Sequence, residues 1–222
     1  MNRTWRWLLI GGLAVAASHL VDGWANVAMR WPAANDRDWG RMLRILGFAP
    51  TWGLIALMLW LESRAGAAVA VRLRAAARAV VIAVATAGIL AEVVKLLVRR
   101  DRPAEVFLGY SFRPFADRPL STSGFGFPSS HAAVAFAGAA ALGTLFPRVG
   151  AVLLLLAAGT GLTRIFGHAH FVSDVAAGAL GGAWIGTWAA RRQTVGVIGS
   201  EGGRPSAASG DAASGRSPAG DQ

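Results

Sequence analysis

Two histidines, an aspartate and several cations fall in three short clusters along the chain. Lys95 and Arg102-Pro103 form the first, Pro128-Ser129-Ser130-His131 the second, and Arg164, His170 and Asp174 the third. Each suits one part of moving a phosphoryl group. Two fixed cations can hold non-bridging phosphate oxygens, and an arginine can grip two of them at once. A serine ahead of a first helical turn caps it, and the free amides of that turn make an anion site, to which a serine hydroxyl can add. A histidine in that turn can protonate a leaving alkoxide. His170 and Asp174 are four residues apart and share a helix face. A carboxylate bonded to one imidazole nitrogen would fix the tautomer and leave the other nitrogen free to attack.

Each cluster also has a plainer reading. Lys95 and Arg102 can anchor a helix end among lipid head groups, Ser129 can be an ordinary N-cap with His131 beside it, and His170 with Asp174 can be a polar helix start. Lys95 and Arg102 are about two helical turns apart, so a continuing helix would put both on one face, while Pro103 disfavours helix at Arg102 and frees its guanidinium to turn inward. His168, two residues before His170, is expected to be a loop residue facing elsewhere. His19 is expected to be a polar residue in or near the first apolar run. Glu92 lies three residues before Lys95, where pairing with that ammonium accounts for it without a catalytic role.

The elements that must position these clusters are long apolar runs. Of the 222 residues 54% are hydrophobic and 15% charged, an unusual balance for a soluble domain. Six spans are expected, at Trp7–Val21, Leu46–Leu61, Ala79–Val98, His131–Phe146, Val149–Thr163 and Phe171–Ala190. The fold class is therefore all-α, a polytopic membrane helix bundle of about six transmembrane helices. Residues 1–193 are read as one membrane domain with its core at 79–190. Residues 194–222, rich in Gly, Ser, Ala and Pro, are read as a disordered tail. The first span also resembles a secretory signal peptide, with Arg3 and Arg6 ahead of it; an uncleaved anchor is the reading preferred. Residues 23–44 are expected along the surface.

In an up-and-down bundle the end of the third span, the start of the fourth and the turn between the fifth and sixth share one side. All three clusters thus reach a common membrane face. The +10 net charge lies between apolar runs, as arginine attracted to anionic lipid would, and no nucleic-acid fold motif accompanies it. The partners expected are a membrane lipid phosphate and the bilayer, with no nucleic acid; nothing in the sequence identifies a protein partner. There is no cysteine, so neither a disulfide nor a thiolate metal site is available.

Taken in order, Lys95-x6-Arg102-Pro103, Pro128-Ser129-Ser130-His131 and Thr163-Arg164-x5-His170-x3-Asp174 resemble the three-part signature of the type 2 phosphatidic acid phosphatase superfamily. Two positions depart from the usual pattern, with Ser130 in place of glycine and Thr163 in place of serine. The resemblance implies a membrane lipid phosphatase that uses no metal or cofactor. His170 would form a phosphohistidine with Asp174 orienting it, and His131 would protonate the leaving oxygen. Lys95, Arg102, Ser129, Ser130 and Arg164 would bind the phosphate. It further implies a bacterial inner membrane location with the site facing the periplasm or exterior. Polyprenyl (undecaprenyl) diphosphate is the first substrate expected, with phosphatidylglycerol phosphate and phosphatidic acid as alternatives. Transfer of the phosphoryl group to another lipid, and a non-catalytic lipid-binding role, are the competing functions.

Overall fold

A computed structural model describes residues 3–64, 66–106 and 109–201. Seven α-helices are present among them, and none of these residues forms a β-strand beyond isolated bridges. In chain order they are α1 (Arg3–Ala28), α2 (Asp38–Ile45), α3 (Ala49–Glu62), α4 (Ala67–Val98), α5 (Ser130–Leu145), α6 (Pro147–Phe166) and α7 (Val172–Glu201). The six expected spans fall on α1 and on α3 to α7. Three helices, α1, α4 and α6, are long and apolar enough to cross a membrane alone. The pair α2 and α3, bent by 64° at its break, makes a fourth if it counts as one span. Residues 23–44 hold the end of α1, a 3-10 turn at Pro32–Asn35 and most of α2. α7 runs on to Glu201, and the rest of the C-terminal tail lies outside the described residues.

The packing inverts that of a soluble protein. The buried core is mostly alanine, with Ala76, Ala79, Ala83, Ala87 and Ala91 of α4 and Ala133, Ala137 and Ala141 of α5 in one cluster. Large apolar side chains point outward instead, among them Leu20, Val27, Leu54, Met58, Ile89, Leu97 and Leu155. Lipid tails are as apolar as leucine, so burying leucine gains little there, and close backbone approach between small residues holds helices together.

The seam between α5 and α7 shows this most directly. Gly178, Gly182 and Gly186 repeat every four residues along one face of α7. A β-carbon added there would lie 2.4 Å from the Ser129 carbonyl oxygen, 2.2 Å from that of Ala133 and 2.2 Å from that of Ala137. On the opposite side of α5, Trp52 of α3 is fully buried over Gly138, where a β-carbon would come within 2.3 Å of its ring. α5 is therefore clamped between neighbours, with its N-terminus set against that of α7.

Candidate active site

α4 ends at Val98 because Arg99 turns left-handed (φ 55°) and its amide closes on the Lys95 carbonyl. That conformation is costly for a residue with a side chain. The Arg99 guanidinium offsets the cost from inside the following loop, donating to the carbonyls of Arg113, Pro114, Asp117 and Pro119. The continuous helix that would have aligned Lys95 with Arg102 is thus interrupted. Arg102 instead stands on an extended stretch whose amide donates to the Gly124 carbonyl, which is how Pro103 permits it to leave the helix axis.

Lys95 is buried at the end of α4. Its ammonium donates to Glu92 Oε1 (2.8 Å) and to Ser130 Oγ, and Ser130 in turn donates to Glu92 Oε1 (2.6 Å). The expected Glu92–Lys95 pair is present, and it also takes up the hydroxyl that stands where the family has glycine. An ammonium has three donors, so one remains for a ligand.

Ser129 caps α5 as expected, its Oγ accepting from the Ala132 amide at 3.4 Å. The Ser129 amide donates to the Asp174 carbonyl. Among the described residues the next two amides, of Ser130 and His131, find no acceptor, leaving the donors from which helix N-termini bind anions. His131 points from this turn toward the corner between α2 and α3. Phe48 meets its ring edge-on at 5.6 Å, and a β-carbon on Gly47 would sit 2.7 Å from its Cδ2.

His170 lies in the tight turn between α6 and α7 and is buried. Its Nδ1 is 2.8 Å from the Gly126 carbonyl oxygen. A carbonyl can only accept, so Nδ1 carries the proton and Nε2 keeps its lone pair. The expected direct bond to Asp174 is not made: Asp174 Oδ2 is 3.6 Å from Nδ1. The carboxylate is occupied elsewhere, taking the Phe171 amide at 2.8 Å on Oδ2 and the buried Arg100 guanidinium on Oδ1. Asp174 therefore acts on His170 through its charge and through the turn it holds. Burial pushes the His170 imidazole below its ordinary value. Asp174 pulls it back up, and Arg164 and Arg102 push it further down.

Arg100 is a functional neighbour that no spacing in the sequence singles out. It donates to Ser173 Oγ at 2.8 Å as well as to Asp174, and its Nη1 lies 3.2 Å from His19 Nε2. Tyr110, Phe127 and Phe171 surround it, with ring centroids 4.7, 4.9 and 5.2 Å from the guanidinium carbon. Asp22 of α1, also missed, is buried and accepts from the Ser173 amide (2.9 Å), Ser173 Oγ (2.5 Å) and Tyr110 Oη (2.9 Å). Burial and this bond push the Tyr110 phenol up to about 12. His19 thus belongs to a network tying the first helix to the start of α7, which no local spacing signals. His168 is the loop residue expected, left-handed at φ 56°.

Arg164 is buried on α6 near both histidines, and its Nε has no partner among the described residues. Arg102 and Arg44 are the charges that weigh most on it. Arg164, His170, Arg44 and Lys95 are the groups that weigh most on His131. The two imidazoles and the expected cations are thereby brought into one electrostatic neighbourhood, together with Arg44, which the sequence had placed only on a surface segment. No ion pair neutralises Arg44, Arg102 or Arg164 among the described residues. Like charges gathered in this way make a receptor for an anion. Among the described residues no group of three or more His, Cys, Asp or Glu is arranged to hold a metal ion.

The match to known proteins covers the same stretch. The family model of the PAP2 superfamily matches residues 76–195. A lipid A 1-phosphatase of Rhizobium etli is 31% identical over 182 residues, covering 77% of each chain. A lipid A 1-phosphatase of Rhizobium johnstonii is 32% identical over 153 residues, covering 63% of this chain and 62% of its own. No solved structure matches the chain significantly. With its apolar helices, its family match over residues 76–195 and these two relatives, the chain is a membrane phosphatase belonging to the PAP2 superfamily.

Proposed function

We propose that the protein hydrolyses a phosphate ester or anhydride at the head of a membrane lipid through a phosphohistidine. The observation that carries this reading is the gathering of Arg44, Arg102 and Arg164, without a carboxylate partner among the described residues, beside two imidazoles, one at the start of α5 and one in the α6–α7 turn. His170 Nε2 attacks phosphorus while the bond to the leaving oxygen breaks, and His131 gives that oxygen its proton. Water then cleaves the phosphorus–nitrogen bond, with neutral His131 now accepting a proton. Lys95, Arg102, Arg164, the Ser129 hydroxyl and the Ser130 amide hold the equatorial oxygens as charge redistributes. The reaction needs no metal in this scheme.

The names of the two relatives support the 1-phosphate of a lipid A-like glycolipid as substrate, in preference to the polyprenyl diphosphate that sequence alone suggested. The site is read as facing the periplasm, with α1 entering from the cytoplasmic side behind Arg3 and Arg6. The test is phosphate release from lipid A 1-phosphate, polyprenyl diphosphate, phosphatidylglycerol phosphate and phosphatidic acid in EDTA. Wild type, His170→Ala and His131→Ala are compared, with acid-labile phosphoenzyme trapped by rapid quench. Wild type should turn over in EDTA. His170→Ala should give neither phosphate nor phosphoenzyme, and His131→Ala should lose about 10²–10⁴-fold in rate. Turnover abolished by chelation would remove the metal-free scheme. A phosphorylated lipid acceptor in place of free phosphate would make the protein a transferase, and full activity in His170→Ala would leave it a binding protein.

A further inference from the structure

We propose that the groove between α3 and α4 binds one anionic phospholipid of the leaflet opposite the candidate site, with an acyl chain in the groove and the phosphate held by Arg78 and Arg64. This site is separate from the phosphatase reading, and its ligand is not a substrate. Arg78 and Lys95 stand on the same helix, 17 residues and hence about 25 Å apart along its axis. That is most of the thickness of a bilayer core of about 30 Å, so the two residues meet different leaflets.

The shape suits a chain. The groove has a volume of about 360 Å³, inside the range of about 300–1,000 Å³ found for ligand clefts. Gly53, Ala56 and Ala77 line it with small side chains, of which Ala56 and Ala77 are buried, while Trp60 and Ile82 rise beside them and stay exposed. Glycine inside a helix is a cost, and at Gly178, Gly182 and Gly186 it admits another backbone. At Gly53 a β-carbon would meet nothing within 4 Å. No neighbour requires the glycine there, and its missing side chain leaves the groove open.

The charge lies at one end. Trp60 and Arg78 are toward the turn that joins α3 to α4, and Gly53 and Ile82 away from it. Arg64 adds to the same end, its guanidinium carbon 4.1 Å from the centroid of the Trp60 ring. Arg74 donates to Ser63 Oγ in that turn at 3.3 Å, and Arg72 donates to the Leu145 carbonyl. Residues 64–78 thus carry four arginines, while Glu62 is the one acid between Trp60 and Ala91. Among the described residues no carboxylate pairs with any of the four. Cations at the mouth of an apolar cleft between membrane helices fit an anionic head group at the interface with its chain running inward.

A lipid fits the groove better than a protein helix does. Helices in this bundle meet where small residues face each other, as along α5 and α7, whereas here the exposed Trp60 and Ile82 would hold a helix off the floor. A flexible chain fills such a cleft. The lipid would also bridge two helices that support the candidate site: α3 buries Trp52 over Gly138 and follows the corner against His131, and α4 carries Lys95. A ligand that binds only the folded protein stabilises it, so occupancy is read as a rise in Tm.

The experiment titrates phosphatidylglycerol, or phosphatidylcholine with the same chains, into the delipidated full chain in neutral detergent and follows Tm. Phosphate buffer keeps the anion site beside the imidazoles occupied. Wild type is compared with Arg78→Gln, Arg78→Lys, Gly53→Leu and a control, Arg192→Gln; Arg192 also lies over a tryptophan, Trp188, but does not line the groove. Wild type should bind phosphatidylglycerol at least about fivefold more tightly than phosphatidylcholine. Arg78→Gln should weaken phosphatidylglycerol about fivefold, the contribution of one interfacial cation, and Arg78→Lys should restore most of it. Gly53→Leu fills the cleft and should weaken both lipids, and Arg192→Gln should weaken neither. The two Arg78 variants carry the test if Gly53→Leu does not fold. Equal binding of the two lipids by wild type, or phosphatidylglycerol binding that Arg78→Gln leaves intact or that Arg192→Gln weakens as much, would overturn the site. A dimer in detergent that Gly53→Leu dissociates would give the groove to a second copy and overturn it too.

Discussion

Arg100 and Asp174 form an ion pair whose side chains are 3% and 0% exposed, inside a ring of three aromatic side chains. The aspartate beside His170, the proposed nucleophile, therefore has an arginine as its counter-ion, and the backbone carbonyl of Gly126 sets the tautomer of the histidine. Removing one partner of a buried pair is worse than removing both, because the remaining charge has neither water nor a mate. Arg100→Met should cost about 3–5 kcal/mol of stability and lower kcat more than it raises KM. Arg100→Lys should recover part of both. Thermal unfolding in detergent alongside steady-state kinetics checks this, and a variant as stable as wild type would show that Asp174 does not depend on Arg100.

The buried His170 makes a prediction about pH. Its folded value is lowered by burial despite the pull of Asp174, so the neutral, attacking form survives below the ordinary imidazole value of about 6.5. The acid limb of log kcat/KM should accordingly fall below pH 6.5. The same shift affects stability: the contribution is complete above the unfolded value and is lost as pH falls through it, because only the unfolded chain takes up the proton. A limb at or above 6.5 would mean that the imidazole is not held neutral by its surroundings.

The seam of α5 and α7 can be tested with a matched pair of substitutions. At Gly182 a β-carbon would lie 2.2 Å from a backbone oxygen, whereas at Gly181 it meets nothing within 4 Å. Gly182→Ala should push the helices apart, cost about 1–3 kcal/mol and reduce activity by separating the helix that carries His131 from the turn that carries His170. Gly181→Ala should be neutral or stabilising by up to about 1 kcal/mol. Similar behaviour of the two variants would argue against this close packing.

Asp22 binds the start of α7 to the first helix through Ser173 and Tyr110. Asp22→Ala leaves those donors unsatisfied and should destabilise the protein by about 1–3 kcal/mol, with Asp22→Asn milder because an acceptor remains. The same contact supports the first span as a retained helix rather than a cleaved leader, since its removal would expose Ser173 and Arg100 beside the site. Mass determination of the purified protein would reveal any cleavage ahead of Asp22.

Local spacing made much of this protein legible. Apolar runs marked the positions of α1 and α3 to α7, and the Ser129 cap, the Glu92–Lys95 pair and the loop placement of His168 all depend on neighbours within a few residues. Such features follow from helix periodicity and capping, which operate over one or two turns. The parity of an up-and-down bundle then sufficed to bring three distant clusters to one end.

What the tertiary structure alone decided lies between residues far apart in the chain. Asp22 with Ser173, His19 and Asp174 with Arg100, Gly126 with His170, and Arg44 near His131 have no periodic signature. Their polar atoms meet because a membrane bundle leaves no water inside for them, so each must find its partner wherever packing of the small-residue faces brings one within reach. The sequence by itself therefore determined which chemistry was available and at which end of the helices. Packing determined which arginine neutralises the aspartate and which ones have no carboxylate partner among the described residues.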